Sequence, residues 1–244
     1  MYDVQSVMDN ISNNIFWFMG FGAIGMFCNW WLLFECVKLG FKHRTYSIAL
    51  FATYFWTAHD ISFVLQWHTW FVEMDFWVWK LFWVNILLSV VFEVFFYYQM
   101  IKFGLNELFP GLPRKTALCL LFGGQVIALA VFWYVKMAMG GDPMFLSIMV
   151  LTIFACPIFA IPTAMRRRSR KGQSIRLNLI YIIMVFGIWP AWYITAPAFQ
   201  SVWFIALGAG TVVWCLANIL VLKSLPAYSP VIEEQNPQGA VAVS

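Results

Sequence analysis

Seven long apolar runs occupy most of this chain, and positive charge gathers in every second gap between them. The runs cover residues 15–37, 47–67, 77–101, 116–138, 144–165, 177–199 and 201–224. Each reaches the roughly 20 residues that an α-helix needs to cross a bilayer. The connections are short, which dictates an up-and-down bundle. Thirteen of the 15 Lys and Arg residues lie between runs 1 and 2, 3 and 4, or 5 and 6, or at the end of run 7; Lys80 and Lys136 fall on the other side. Loops rich in Lys and Arg stay in the cytosol. The pattern predicts an all-α bundle of seven transmembrane helices, with a non-cytosolic amino terminus and a cytosolic carboxyl terminus. Asp3, Asp9, Glu73, Asp75 and Asp142 fall on the outer side, as this topology expects.

Composition agrees with the pattern. The chain is 62% hydrophobic and 11% charged, against about 25% charged in soluble domains. A soluble globule this small could not hide so much apolar side chain. One membrane domain is expected over 15–224, preceded by a polar segment, 1–14, and followed by a polar, Pro-rich tail, 225–244, that should lack regular structure. The chain reads as a multi-pass membrane protein, of the endoplasmic reticulum if its host is eukaryotic. The five cysteines sit in apolar runs without metal-ligand spacing and read as buried hydrophobes. The basic stretch 166–176 (RRRSRKGQSIR) reads as a topology anchor on anionic lipid; binding of a diphosphate is the other reading.

Ionisable side chains inside hydrocarbon cost about 2.5–3.5 kcal/mol on insertion scales and tend to mark function. Run 2 carries His59 and Asp60. Asp60 lies ~20 Å from one end of its run and ~10 Å from the other, too deep to reach water easily. Run 3 carries Glu93, ~12 Å from the basic end. Glu35 stands three residues before Lys38, a spacing that predicts an interfacial ion pair. His59 and Asp60 are adjacent, so their Cβ atoms point about 100° apart on a helix and do not share one face. His59 therefore reads as a helix-contact residue or a partner of the acid. Asn29, Asn85, Gln125 and Asn218 add uncharged polar groups that can bond neighbouring helices. A carboxyl group in a dry pocket favours its protonated form and can act as a proton donor. Trp56 and Trp214, with Tyr97, Tyr98 and Tyr181, lie deeper or elsewhere than the outer aromatic belt, and ring faces stabilise cations.

Several of these segments resemble the small integral-membrane terpene cyclases of fungal meroterpenoid and indole-diterpene pathways. The resemblance rests on FWTAHD ending at Asp60, on EVFFYYQMIKFG over 93–104, on RRRSRKGQS over 166–174 and on WCLAN ending at Asn218. Asn218 stands where the family carries a second acid; an amide can orient a hydroxyl or oxirane oxygen but cannot supply a proton. The resemblance implies a seven-helix enzyme acting on a lipophilic prenylated substrate, often epoxidised, with no cofactor and no metal. It implies catalytic roles for Asp60, Glu93 and Asn218, with Asp60 protonating the epoxide. Trp56, His59, Asn85, Tyr97, Tyr181 and Trp214 are the expected walls of the substrate pocket. Membrane lipid is the expected surrounding, and nucleic acid is not an expected partner. The rival class is a proton-coupled small-molecule transporter, with Asp60 and Glu93 as relay sites. A retinal protein is disfavoured because the last run has no central Lys, and a G-protein-coupled receptor because that run has no Asn-Pro-x-x-Tyr.

Overall fold

The computed structural model describes residues 2–228, so the expected tail lies, from residue 229 onward, outside the described residues. Every apolar run is helical, and the described residues contain no strand. The polar amino-terminal segment also folds. Asp3 caps helix α1 (Val4–Asn13) by accepting from the Ser6 N–H at 2.8 Å, and Val7 and Ile11 turn inward. Then follow α2 (Ile15–Lys42), α3 (Leu50–Leu65) and α4 (Trp77–Gln99), which runs through a π turn, Met100–Gly104, into α5 (Leu105–Leu108). The remaining helices are α6 (Arg114–Ala138), α7 (Leu146–Ile158), α8 (Ala160–Arg167), α9 (Ile175–Thr195) and α10 (Val202–Ser224).

Among the described residues, six helical stretches are long and apolar enough to cross a membrane: α2, α4 with α5, α6, α7 with α8, α9 and α10. They make the chain a multi-pass membrane protein. The exception is α3, with 16 residues, or ~24 Å of helix. It packs between α4, α6 and α7, and every residue from Trp56 to Asp60 is buried. That placement explains how α3 carries a histidine and an acid: neither faces lipid.

The longest seam joins α2 to α9. Gly25 and Gly187 meet there backbone to backbone. A Cβ on Gly187 would lie 2.5 Å from the Gly25 nitrogen and 2.9 Å from the Phe21 carbonyl oxygen. Small residues permit such close approach, from which membrane helices draw their packing energy. A different device holds α7 to its neighbours. Pro157 has no N–H to donate, so it leaves the Ile153 carbonyl without its helical partner. The Tyr181 hydroxyl of α9 donates to that carbonyl. Asn218 of α10 donates to the Pro157 carbonyl at 3.0 Å and to Asn178 Oδ1 at 3.0 Å.

The basic stretch 166–176 is largely committed within the protein. Arg167, whose side chain is 4% exposed, donates to both oxygens of Glu107 at 2.9 and 3.2 Å and stacks over Tyr46 at 4.3 Å. Arg166 also donates to Glu107, at 2.7 Å. Arg170 donates to the Leu222 and Leu225 carbonyls at 2.5 and 3.0 Å, closing the end of α10. Such two-pronged Arg–carboxylate pairs are among the stronger polar contacts. Replacing Glu107 with Ala strands a buried guanidinium. Breaking one side of a buried pair costs about 3–5 kcal/mol; Glu107 is partly exposed, so we expect roughly 2 kcal/mol, or a Tm lower by roughly 4–8 °C. Glu107→Gln should lose less, and an unchanged melting curve for Glu107→Ala would show the cluster to be ornamental.

The expected Glu35–Lys38 pair does not form among the described residues. Glu35 is buried on the inner side of α2 with Leu32, Cys36 and Leu39, whereas Lys38 is exposed.

Candidate functional site

Three helices bring the polar residues of the interior together. On α4, Asn85, Ser89 and Glu93 recur every fourth residue, so they form one stripe. All three are buried, while Val84, Leu88, Val91 and Val94 of the same helix face outward. From α3 come Trp56, His59 and Asp60, and from α2 come Met26, Asn29 and Leu33; Met149, Thr152 and Ile153 of α7 and Met184 and Ile188 of α9 complete the wall. These side chains enclose a cavity of about 50 Å³, room for a few water molecules.

Within it, His59 Nδ1 lies 2.6 Å from Asp60 Oδ1. The expectation that these neighbours keep to separate faces fails: their Cβ atoms diverge, but the two side chains lean towards each other and close the gap. One hydrogen lies between them, carried either by the imidazole as N–H or by the carboxyl as O–H. The imidazole packs against Phe63, Phe132 and Phe145, with ring centroids 6.3, 6.0 and 5.8 Å away. Its Nε2 is buried with no partner. Glu93, 2% exposed, has Asp60 and Thr57 beside it. Neither completes a well-aligned bond with it, and both Glu93 oxygens are buried without a partner. No Lys or Arg lines the cavity.

Five of the nine residues expected in catalysis or in the pocket wall thus share one cavity: Asp60, Glu93, Trp56, His59 and Asn85. Four others stand elsewhere. Asn218 and Tyr181 serve the carbonyls at the α7 proline, and Tyr181 lines a second, smaller cavity of about 30 Å³ with Cys36, Cys156 and Asn178. The Tyr97 hydroxyl donates to Gln125, whose amide donates in turn to the Tyr54 carbonyl at 3.2 Å, joining α4 to α6 and α3. Trp214 is 39% exposed on the outside of α10. The cavity wall is accordingly not the aromatic chamber expected; Trp56 and His59 are its only rings, and Met and Ile supply most of the remainder. Ser89 escaped sequence reasoning, although the four-residue spacing from Asn85 to Glu93 marks it. Met26, Met149 and Met184 carry no such signal, being apolar residues in apolar runs.

The chain matches no protein-family model, no curated protein and no solved structure.

Chemically, the arrangement is two carboxyls and one imidazole in a space without other charge. One imidazolium can offset one carboxylate. A second ion would have no counter-charge in a medium where unpaired ions are costly. Such a site is suited to holding a proton and handing it over.

Proposed function

We propose that the chain is a seven-span membrane enzyme with its amino terminus on the non-cytosolic side. It cyclises a prenylated, epoxidised lipophile by acid-initiated carbocation chemistry. The observation that carries this reading is the meeting of Asp60 and Glu93, from two helices, in one cavity that no Lys or Arg neutralises. The positive loops support the orientation, and α3 counts as a span because it continues beyond Gln66 into the π turn Thr69–Glu73.

In this reading Glu93, rather than Asp60, is the proton donor, because His59 already engages Asp60 at 2.6 Å. The Glu93 O–H passes its proton to the oxirane oxygen. One C–O bond breaks, leaving a hydroxyl and a carbocation. A chain alkene attacks the cation and forms the ring. The final cation loses a proton to the Glu93 carboxylate, so acid and atoms are restored and the net change is an isomerisation. General acid catalysis of this kind contributes about 10²–10⁴-fold. Trp56 offers a ring face to the cation, and a bound substrate displaces the water that would quench it.

Known ligand pockets span about 300–1,000 Å³, so a prenyl chain enters only when the wall gives way. Met26, Met149 and Met184 are suited to this, since methionine has three rotatable bonds and repacks at little cost. The small resting cavity is also the observation that favours the rival reading, a proton-coupled carrier in which waters relay the proton.

One experiment separates the two. Purified protein in nanodiscs is incubated with an epoxidised farnesyl phenol, and the products are resolved by chromatography and mass spectrometry. The expected result is a product of unchanged mass and new retention time. No isomer from the folded protein, together with proton-driven solute uptake in proteoliposomes, would replace this reading with the carrier.

A further inference from the structure

The cavities of about 50 and 30 Å³ lie end to end inside the bundle, walled by the same three helices. On α2, Leu33 lines the first and its neighbour Leu32 the second. On α7 the first ends at Ile153 and the second begins at Cys156. On α9, which runs the opposite way, the first ends at Met184 and the second begins at Tyr181. Three residues of helix cover ~4.5 Å, so less than one turn separates the two spaces. Tyr181 divides them. Its ring is buried, and its hydroxyl donates to the Ile153 carbonyl in the wall of the first cavity. Pro157 has already taken that carbonyl out of the helical ladder. One hydrogen bond therefore holds the partition, and no helical bond breaks when Tyr181 turns.

The other end of the first cavity is sealed. Phe63, Trp70, Phe82 and Phe145 are buried there, and the other three rings all pack against Phe63 at centroid distances of 4.5–5.4 Å. A chain too long for the first cavity can extend only past Tyr181. We infer that the two cavities are halves of one elongated site, joined when Tyr181 turns aside, with the reacting end of the prenyl chain in the first and the rest of the chain in the second. This rests on the prenylated-substrate reading and narrows it. Along α2 the first cavity runs from Met26 to Leu33, ~10 Å, and the joined site from Met26 to Cys36, ~15 Å. A geranyl chain fits the shorter length, whereas a farnesyl chain needs the longer. The walls of the second half suit such a chain: Leu32, Ile48, Ala49, Ala160 and Leu177 are apolar, and the Gln173 amide is already occupied, donating to the Ser47 carbonyl at 2.7 Å.

Two probes that differ in chain length test it: geraniol and farnesol. Neither has an epoxide, so neither is consumed. Their binding is read as stabilisation of the purified protein against heat in nanodiscs, over a range of probe concentrations. Farnesol partitions more strongly into lipid, but equally so for every variant, so the quantity read is the change in the ratio of the two effective concentrations. Ala160 lines the second cavity and not the first, so Ala160→Leu fills only the second. It should raise the farnesol concentration needed by about tenfold, as for roughly two methylenes put out of contact, and leave geraniol unchanged. If Ala160→Leu does not fold, Ala49→Leu, in the wall of the same cavity, is read in the same way. A folded variant that keeps the native ratio overturns the joined site alone, as does a native protein stabilised by geraniol and not by farnesol. A native protein stabilised by neither probe overturns the prenylated-substrate reading, and the joined site with it.

Discussion

Glu93→Gln should lose turnover by about 10²–10⁴-fold while melting at or above the temperature of the native protein. Glutamine keeps the shape of the side chain and can still bond, but it cannot hand over a proton. The buried carboxyl of Glu93 has Asp60 and Thr57 beside it, and a glutamine amide can bond both, so native structure survives the change. Asp60→Asn should also lose activity, for a different reason. Asp60 is bonded to His59 at 2.6 Å; an amide there cannot exchange a proton with the imidazole and changes the polar surroundings in which Glu93 acts. The two variants differ in stability: Asp60→Asn should melt lower, because buried His59 exchanges a carboxyl partner for a weaker amide one. Product formation in nanodiscs and a melting curve for each variant supply both readings. Native turnover in a folded Glu93→Gln protein would remove Glu93 from the chemistry.

Gly187→Leu should be the most damaging single change in the membrane domain. The added side chain meets the backbone of α2 at Gly25 and Phe21, and backbone cannot rotate aside as a side chain does. Overpacking of a well-filled core costs about 1–3 kcal/mol and sometimes more. We expect at least about 3 kcal/mol here, because the clash prises apart the longest helix seam. The damage reaches the cavity. Met184 and Ile188 flank Gly187 on α9, and Met26 and Asn29 follow Gly25 on α2, and all four line the wall. Gly187→Leu should elute as aggregate or melt far below the native protein, with Gly187→Ala intermediate. A Gly187→Leu protein that melts normally would mean that α2 and α9 do not touch at this point.

Length and hydropathy were enough to place the six membrane-length helices, and the shorter α3, within a few residues. Those signals are local, since lipid imposes a fixed length and an apolar surface on whatever crosses it. The polar stripe on α4 was legible for the same reason, as spacing along one helix. What could not be read was pairing between helices. The partner of Asn218 is a carbonyl at the α7–α8 break, and that of Tyr181 is a carbonyl freed by Pro157; both depend on how three helices dock. The arginines of 166–176 read as free charge because their acceptor, Glu107, stands some 60 positions away. Helix angles alone also misjudged His59 and Asp60, since they fix where Cβ points and leave the rest of the side chain free.

The most direct measurement concerns the proton itself. Infrared spectroscopy of the protein in lipid resolves the carbonyl stretch of a protonated, buried carboxyl from that of a carboxylate. At neutral pH the native protein should show this band, Glu93→Gln should lose it and Asp60→Asn should keep it. A native spectrum without the band, or a band that survives Glu93→Gln, would mean that the cavity holds no proton on Glu93 to give.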